Sequence, residues 1–216
     1  MKGIWVLLLL ILTAALPAFI AFFWLRSRKP ALTLPWFLSS LAAGIVSFIV
    51  AALIQGLFSP PKQGGLQAVF FSIFVRIAFV EEASRLVTLF PFLKAGKNRR
   101  QIDRAFGAAL GLAAGLGFAI IESAYHGIAD LNITLLRAFT AAPLHGACGI
   151  RAGAAVFIAG QYPKRAFVLF LSTVLIHGAY NLMIVSPAIP SALAILVALT
   201  ALFSSLVYIK DVDMDN

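Results

Sequence analysis

Two adjacent glutamates and an arginine stand in the stretch FVEEASRLV, residues 79–87, whose surroundings are apolar. On a helix, Arg85 lies four residues from Glu81 and three from Glu82, so it can bridge to either carboxylate. Two carboxylates in a site that excludes water repel each other, which favours a proton on one of them, while the arginine keeps the other ionised. Such an arrangement suits one carboxylate to act as a general base.

Further polar side chains lie in three other apolar stretches, and each is placed by helical spacing. Glu122 falls on the same helix face as a stripe of glycines that recur every fourth residue, at 107, 111 and 115, so it points at neighbouring helices. His145 is followed by glycine four residues later, at 149. His177 and Asn181 are also four apart and share a face, where an amide one turn from an imidazole can stabilise a developing oxyanion.

The composition decides what kind of chain carries these residues. The chain has 216 residues, of which 62% are hydrophobic, and its mean hydropathy is +0.99. A soluble domain of this size could not cover so apolar an interior with polar surface. We therefore predict an all-α, polytopic transmembrane helical bundle in a lipid bilayer, with residues 1–216 forming one integral membrane domain.

A membrane-spanning helix needs about 20 apolar residues. The sequence predicts about seven spans, and the part that carries the polar residues, 66–187, is predicted to hold the catalytic core helices. The predicted spans are 4–25, 34–57, 66–93, 105–127, 134–160, 166–187 and 189–209.

The charges of the connecting segments predict how the bundle is oriented. Eleven Lys or Arg residues fall in the segments on one side of the predicted spans, and two, Lys2 and Lys62, fall on the other. The positive-inside rule places the richer side in the cytoplasm, so the N-terminus is predicted outside and the C-terminus cytoplasmic. These basic segments also explain the net charge of +9 without a nucleic-acid partner. The single cysteine, Cys148, excludes an internal disulfide and a cysteine-based zinc cluster.

Depth in the membrane favours one shared site. Counting 1.5 Å per residue from the segment ends puts Glu81, Glu82, His145 and His177 near the middle of the membrane, and Glu122 nearer the outer face. An ionisable group at mid-membrane costs at least roughly 2.5–3.5 kcal/mol and usually serves a function. A structural ion cluster that locks the helices together is the alternative explanation for the carboxylates and Arg85.

Four motifs, in order along the chain, resemble those of a known family. EEASR, residues 81–85, resembles the EExxK-type motif of the PrsW intramembrane proteases, with Arg85 in place of the lysine. FAIIE, residues 118–122, resembles their FxxxE motif. HGACG, residues 145–149, resembles their HxxxG motif, and HGAYN, residues 177–181, resembles their final histidine motif. The resemblance covers roughly residues 66–185.

The resemblance implies a membrane endopeptidase of a larger grouping that includes the CAAX prenyl endopeptidases and bacteriocin-processing proteases. It implies a membrane-anchored protein substrate, an anti-sigma factor or similar regulator, and a prokaryotic cytoplasmic (inner) membrane. It also implies Glu81 as general base, with Glu82 and Arg85 setting its charge state. Glu122 and His145 would then position a water or a metal, and the pair His177 and Asn181 would stabilise the oxyanion.

Two questions stay open at the level of sequence. Zinc could be held by Glu122, His145 and His177, since three protein ligands and a water suffice, but no H-E-x-x-H pattern is present. The sequence therefore favours a glutamate mechanism without a metal cofactor over a zinc-dependent one. The same polar cavity would also serve a non-catalytic scaffold or receptor that binds a partner helix, or a proton-coupled transporter.

Overall fold

The computed structural model describes residues 2–29, 31–58, 65–96, 103–128, 131–186 and 188–210. Within these ranges all regular secondary structure is helical, as the composition predicts. The α-helices are α1 (Lys2–Arg28), α2 (Leu34–Leu57), α3 (Leu66–Phe70), α4 (Val80–Gly96), α5 (Arg104–His126), α6 (Leu131–Phe139), α7 (Ala141–Ile158), α8 (Pro163–Val185) and α9 (Ser191–Ser205). A π-helical stretch, Phe71–Phe79, joins α3 to α4, and a 3₁₀ turn, Leu206–Tyr208, follows α9.

Among the described residues, five helical segments are long and apolar enough to cross a membrane. They are Ile4–Arg28, Leu34–Leu57, Arg104–His126, Thr134–Ile158 and Pro163–Val185. The last predicted span corresponds to a shorter apolar helix, Ala192–Tyr208. The helical bundle is therefore confirmed, whereas the count of seven full crossings stays a prediction.

The third predicted span, 66–93, is continuous helix, but its middle is not α-helical. Residues Phe71–Phe79 form a π-helix, in which each backbone bond skips one more residue than in an α-helix. Within it, Arg76 donates from Nε to the carbonyl of Phe58 at 2.8 Å and from Nη2 to that of Gln55 at 3.0 Å. This arginine thus donates to two carbonyls at the C-terminal end of α2, where carbonyls lack the full set of intrahelical partners.

The fifth predicted span, 134–160, is divided between two helices. Helix α6 ends at Phe139 and α7 begins at Ala141, with Thr140 between them. Pro143 stands two residues before His145, and a proline inside a helix would bend it there. It instead lies in the first turn of α7, where a missing backbone N–H leaves no intrahelical bond unmade.

Helix α5 is the centre of the bundle, because 18 of its 23 residues are buried. Its most extensive contact is with α7, and glycines make that contact possible. A Cβ on Gly111 would collide with the carbonyl of Gly149, and one on Gly149 would collide with the carbonyl of Gly111. A Cβ on Gly115 would meet the carbonyl of His145. The glycine stripe therefore lets two backbones touch, as small residues do in membrane helix pairs.

The opposite side of α5 approaches α2 by the same means. A Cβ on Gly117 would strike the carbonyl of Leu41, and one on Gly44 would strike the carbonyl of Ala114. Ser40 of α2 donates to the carbonyl of Leu110 at 2.6 Å. Helix α5 is thus held between α2 and α7 at distances that side chains would prevent.

Contacts at one end of the bundle bring several of the basic connecting residues together. Lys29 pairs with Asp103 at 3.6 Å, and Arg104, Lys164 and Arg165 line one cavity. This agrees with the predicted separation of charge, while the side of the membrane that this end faces stays a prediction. The remaining connecting residues, at 59–64 and 97–102, and the C-terminal residues 211–216 lie outside the described ranges.

The glycine contacts predict a specific loss of stability. Gly111→Ala should lower the free energy of unfolding by about 1–3 kcal/mol, since the new methyl group has to displace the backbone of α7. Gly160→Ala is the matched control, because a Cβ at Gly160 meets no atom within 4 Å. Thermal unfolding in detergent measures both variants. Equal stability of Gly111→Ala and wild type would show that α5 and α7 are not in backbone contact.

Candidate active site

Glu82 and Arg85 form the buried centre of the site, and neither is exposed to solvent. Oε2 of Glu82 is paired with Nη1 of Arg85. Oε1 of the same carboxylate accepts a hydrogen bond from Nδ1 of His177, on α8, at 2.8 Å. The sequence left open which glutamate Arg85 would bridge to, and the structure pairs it with Glu82.

Arg85 also reaches His145 on α7. Its Nη2 lies 3.2 Å from Nδ1 of His145, and its Cζ lies 4.8 Å from the centre of the Phe118 ring. A guanidinium has only donors, so Nδ1 of His145 must accept. The ring then carries its hydrogen on Nε2 when it is neutral, and Arg85 thereby selects the tautomer of His145.

Glu122 lies on the other side of His145. Its Oε2 is 2.6 Å from Nε2 of His145 and 2.5 Å from Nη2 of Arg137, on α6. Its other oxygen lies 3.9 Å from Nε2 of His126, whose side chain is 49% exposed. Glu122 therefore accepts the Nε2 hydrogen of His145 and is neutralised by Arg137, while His126 stands at the rim.

Glu81 differs from the other two glutamates because one of its oxygens has no hydrogen-bond partner among the described residues. Oε1 accepts from Nε2 of Gln55, on α2, at 3.1 Å. Oε2 is buried and makes no hydrogen bond within the described part of the chain. The nearest ring nitrogen to it is Nε2 of His177, at 3.6 Å, which is beyond normal hydrogen-bond length.

A cavity of about 610 Å³ leads to this group. It lies at the end of the bundle where α2 ends, opposite to the end that holds Arg104 and Lys164. Its walls combine apolar and polar side chains, and the polar ones are those expected at a reaction site. They are Gln55, Arg76, Glu81, Glu122, Tyr125, His126, Arg137 and Asn181.

The structure brings the sequence-predicted site residues to one region, and it adds others. Glu81, Glu82 and Arg85 from α4, Glu122 from α5, His145 from α7 and His177 from α8 form one connected set of contacts, and Asn181 lines the same cavity as Glu81 and Glu122. Sequence analysis missed Gln55 and Arg137, which bind Glu81 and Glu122. Arg137 did carry a signal, since it is a basic residue inside a predicted span.

Three donor atoms lie close enough together to suggest a metal site. Atoms of Glu81, His145 and His177 lie within 4.8 Å of one another. The sequence had suggested Glu122 in place of Glu81. Oε2 of Glu122 is already in contact with both His145 and Arg137, whereas Oε2 of Glu81 has no partner within the described ranges.

The hydrogen-bond roles argue that this set does not fit a zinc ion. A histidine ligand needs a lone pair on the nitrogen that faces the metal and usually donates its other N–H to an acceptor. His177 meets this rule, because Nδ1 donates to Glu82. His145 does not, since Nδ1 faces a guanidinium donor and Nε2 donates to Glu122. Only Oε2 of Glu81 and Nε2 of His177 remain free to bind a metal. A catalytic zinc site uses three protein ligands, one more than these two.

Comparison with known proteins identifies the family. The model of a family described as PrsW family intramembrane metalloprotease matches residues 32–209. Neither a curated protein nor a solved structure matches the chain. The family match covers most of the sequence and includes all four motifs. Together with the five apolar helices among the described residues, this match shows that the chain is an integral membrane protein. The chain belongs to the PrsW family of intramembrane proteases.

Proposed function

We propose that this protein is an intramembrane endopeptidase that hydrolyses a peptide bond in a membrane-anchored protein. The observation that carries the proposal is Oε2 of Glu81, a buried carboxylate oxygen with no described partner in the wall of a polar cavity. An unsatisfied acceptor in such a place is costly, and a reacting water is the partner it suits. Glu81 is therefore the general base.

The neighbouring imidazole helps to place that water. Nε2 of His177 and Oε2 of Glu81 are 3.6 Å apart, and both accept hydrogen bonds when His177 donates from Nδ1 to Glu82. A water about 2.8 Å from each atom can donate one hydrogen to each. Such a water presents its lone pairs toward the cavity, where the substrate carbonyl would lie.

The reaction also needs proton transfer, stabilisation of the oxyanion and positioning of the reactants. Glu81 takes a proton from the attacking water and afterwards delivers it to the leaving amine, so the proton is accounted for. Asn181, in the cavity wall, donates its amide hydrogen to the oxyanion. Glu122, whose charge is balanced by Arg137, and His145, which accepts a hydrogen bond from Arg85, fix the position of the water or the substrate.

The family and the location of the cavity support a proposal for the substrate class. The cleaved peptide bond lies beside Glu81 and reaches it through the cavity from the bundle end at which α2 ends. We propose a single-span regulator, such as an anti-sigma factor, as the substrate. On the predicted topology this end is extracytoplasmic, and the protein resides in a prokaryotic cytoplasmic membrane.

Replacing the base should abolish cleavage without unfolding the protein. Glu81→Gln preserves the shape of the side chain, and a lost acid–base group costs roughly 100-fold or more in rate. The assay is cleavage of single-span substrates in liposomes, with the products identified by mass. Asp103→Asn is the matched control, because it makes the same chemical change at the opposite end of the bundle and keeps an N-cap for α5.

The two variants separate catalysis from binding. Wild-type rates for Asp103→Asn and a loss for Glu81→Gln, with unchanged thermal stability of both, support the assignment. If Glu81→Gln cleaves at the wild-type rate, the carboxylate pair is a structural cluster. If wild type binds candidate substrates tightly and cleaves none, the scaffold alternative is favoured over the protease.

The positive charge of Arg85 should be needed for stability, and its planar shape should be needed for the full cleavage rate. Arg85→Met leaves Glu82 buried with its positive partner removed, which should cost about 3–5 kcal/mol in the free energy of unfolding. Arg85→Lys retains the charge but lacks the planar fork that reaches Glu82 and His145 together. We expect near-normal stability and roughly tenfold slower cleavage for Arg85→Lys, since an acid–base network loses its fixed tautomer. Thermal unfolding and cleavage rates on the same samples test this, and equal behaviour of the two variants would contradict it.

The tautomer of His145 leads to a prediction about metal. Purified protein should hold well under one equivalent of zinc, and chelators should slow cleavage little. Elemental analysis of wild type and His145→Ala, beside cleavage with and without chelator, provides the measurement. One equivalent of zinc that disappears in His145→Ala together with activity would overturn the metal-free mechanism and require Arg85 to leave Nδ1.

A further inference from the structure

A second cluster of cations lies at the end of the bundle opposite to the active site. Two arginines approach the ring of Tyr208, with Cζ of Arg104 and Cζ of Arg151 each 5.8 Å from its centre. Near it, Cζ of Arg165 lies 5.2 Å from the centre of the Tyr162 ring. Tyrosines and basic side chains at this level are typical of the boundary between hydrocarbon and headgroups.

Arg151 is the deepest of these cations. It lies seven residues before the end of α7, or about 10 Å along the helix. It is held by three hydroxyls, those of Ser205 at 2.9 Å, Ser172 at 3.1 Å and Ser204 at 3.1 Å. Hydroxyls satisfy the guanidinium donors, but they leave its positive charge unbalanced.

The cluster opens into a cavity of about 390 Å³, which we call the basic groove. Its polar wall comprises Arg104, Lys164, Arg165 and the two tyrosines, and its apolar wall comprises Ile158, Val168 and Leu169. Among the described residues, no carboxylate is paired with a cation of this cluster. Asp103 lies next to Arg104 in the chain, but it pairs with Lys29. Positive charges so close together repel one another unless an anion lies between them.

We propose that the basic groove binds an anionic phospholipid. The phosphate lies among Arg104, Lys164 and Arg165, where charge-assisted hydrogen bonds are available. One acyl chain follows the apolar wall toward the membrane interior. Both halves of the ligand are thus matched, and basic pockets between membrane helices are known to hold such headgroups.

The occupant is a lipid because the walls of the groove differ in polarity along its length. A free phosphate would use the basic wall and leave the exposed apolar side chain of Val168 without a partner. A phospholipid covers both walls. It is also present at this depth in any membrane that contains the protein, so no additional ligand has to be supplied.

The test compares two double variants that remove the same number of charges. Lys164→Gln with Arg165→Gln alters the groove through exposed side chains, so the fold should persist. Arg26→Gln with Arg28→Gln alters the end of α1, where both side chains are also exposed. Full-length protein stripped of lipid in detergent is titrated with phosphatidylglycerol or phosphatidylcholine, and binding is counted by native mass spectrometry.

The groove variant should bind phosphatidylglycerol roughly tenfold or more weakly than wild type, since each basic residue near a lipid surface contributes measurably to binding. The α1 variant should stay within about twofold of wild type, and phosphatidylcholine should bind all three weakly. Equal losses in both double variants would indicate diffuse attraction to a basic surface and would overturn the proposal.

Two further measurements identify the occupant. Glycerophosphoglycerol has the phosphodiester headgroup of phosphatidylglycerol without acyl chains, so it should compete poorly; equal competition would reduce the site to a phosphate site and overturn the lipid assignment. Three aspartates, at 211, 213 and 215, lie among the six residues that follow Lys210. If a chain ending at Lys210 binds phosphatidylglycerol and the full-length chain does not, the acidic tail occupies the groove and the proposal fails.

Discussion

The site depends on one guanidinium that is completely withdrawn from solvent. Arg85 neutralises Glu82, donates to His145 and lies against the ring of Phe118, so it connects α4, α5 and α7. A charge buried in this way is tolerated only when the protein itself supplies every partner. Because Glu82 in turn accepts from His177, α8 is included as well. Removing this one cation would leave four helices without a common centre.

The glycines determine whether those partners can meet. Gly115 lets the backbone of α5 lie against the carbonyl of His145, and two turns later along α5 Glu122 reaches the imidazole of the same residue. Larger residues in the stripe would separate the helices, and a gap of even one methyl group would break a 2.6 Å contact. Helices α5 and α7 therefore have to be in backbone contact for the acid–base contact between Glu122 and His145 to form.

The sequence predicted which polar residues lie close together better than it predicted the contacts around them. Helical spacing and the cost of charge in a membrane were enough to select Glu81, Glu82, Glu122, His145 and His177, because those rules act within single helices. Partners from other helices depend on distances between elements that periodicity does not encode. Only tertiary packing determines that Arg85 pairs with Glu82, and that Gln55 on α2 and Arg137 on α6 are additional partners. The helical class was predictable from composition, whereas the count of seven crossings was not.

The π-helical stretch Phe71–Phe79 affects the direction in which side chains of the continuous helix over 66–96 point. Each residue of an α-helix turns the chain by about 100°, whereas a π-helix turns it less, so the two halves of this helix face directions that a uniform α-helix could not combine. The first half presents Phe74 to Gly178 and Arg76 to the end of α2, and the second half presents Glu82 to α8 and Arg85 to α7. Deleting a single residue here would rotate one set of contacts away from the other while leaving every motif intact. The number of residues between Arg76 and the EEASR motif is therefore as important to the active site as the motif itself.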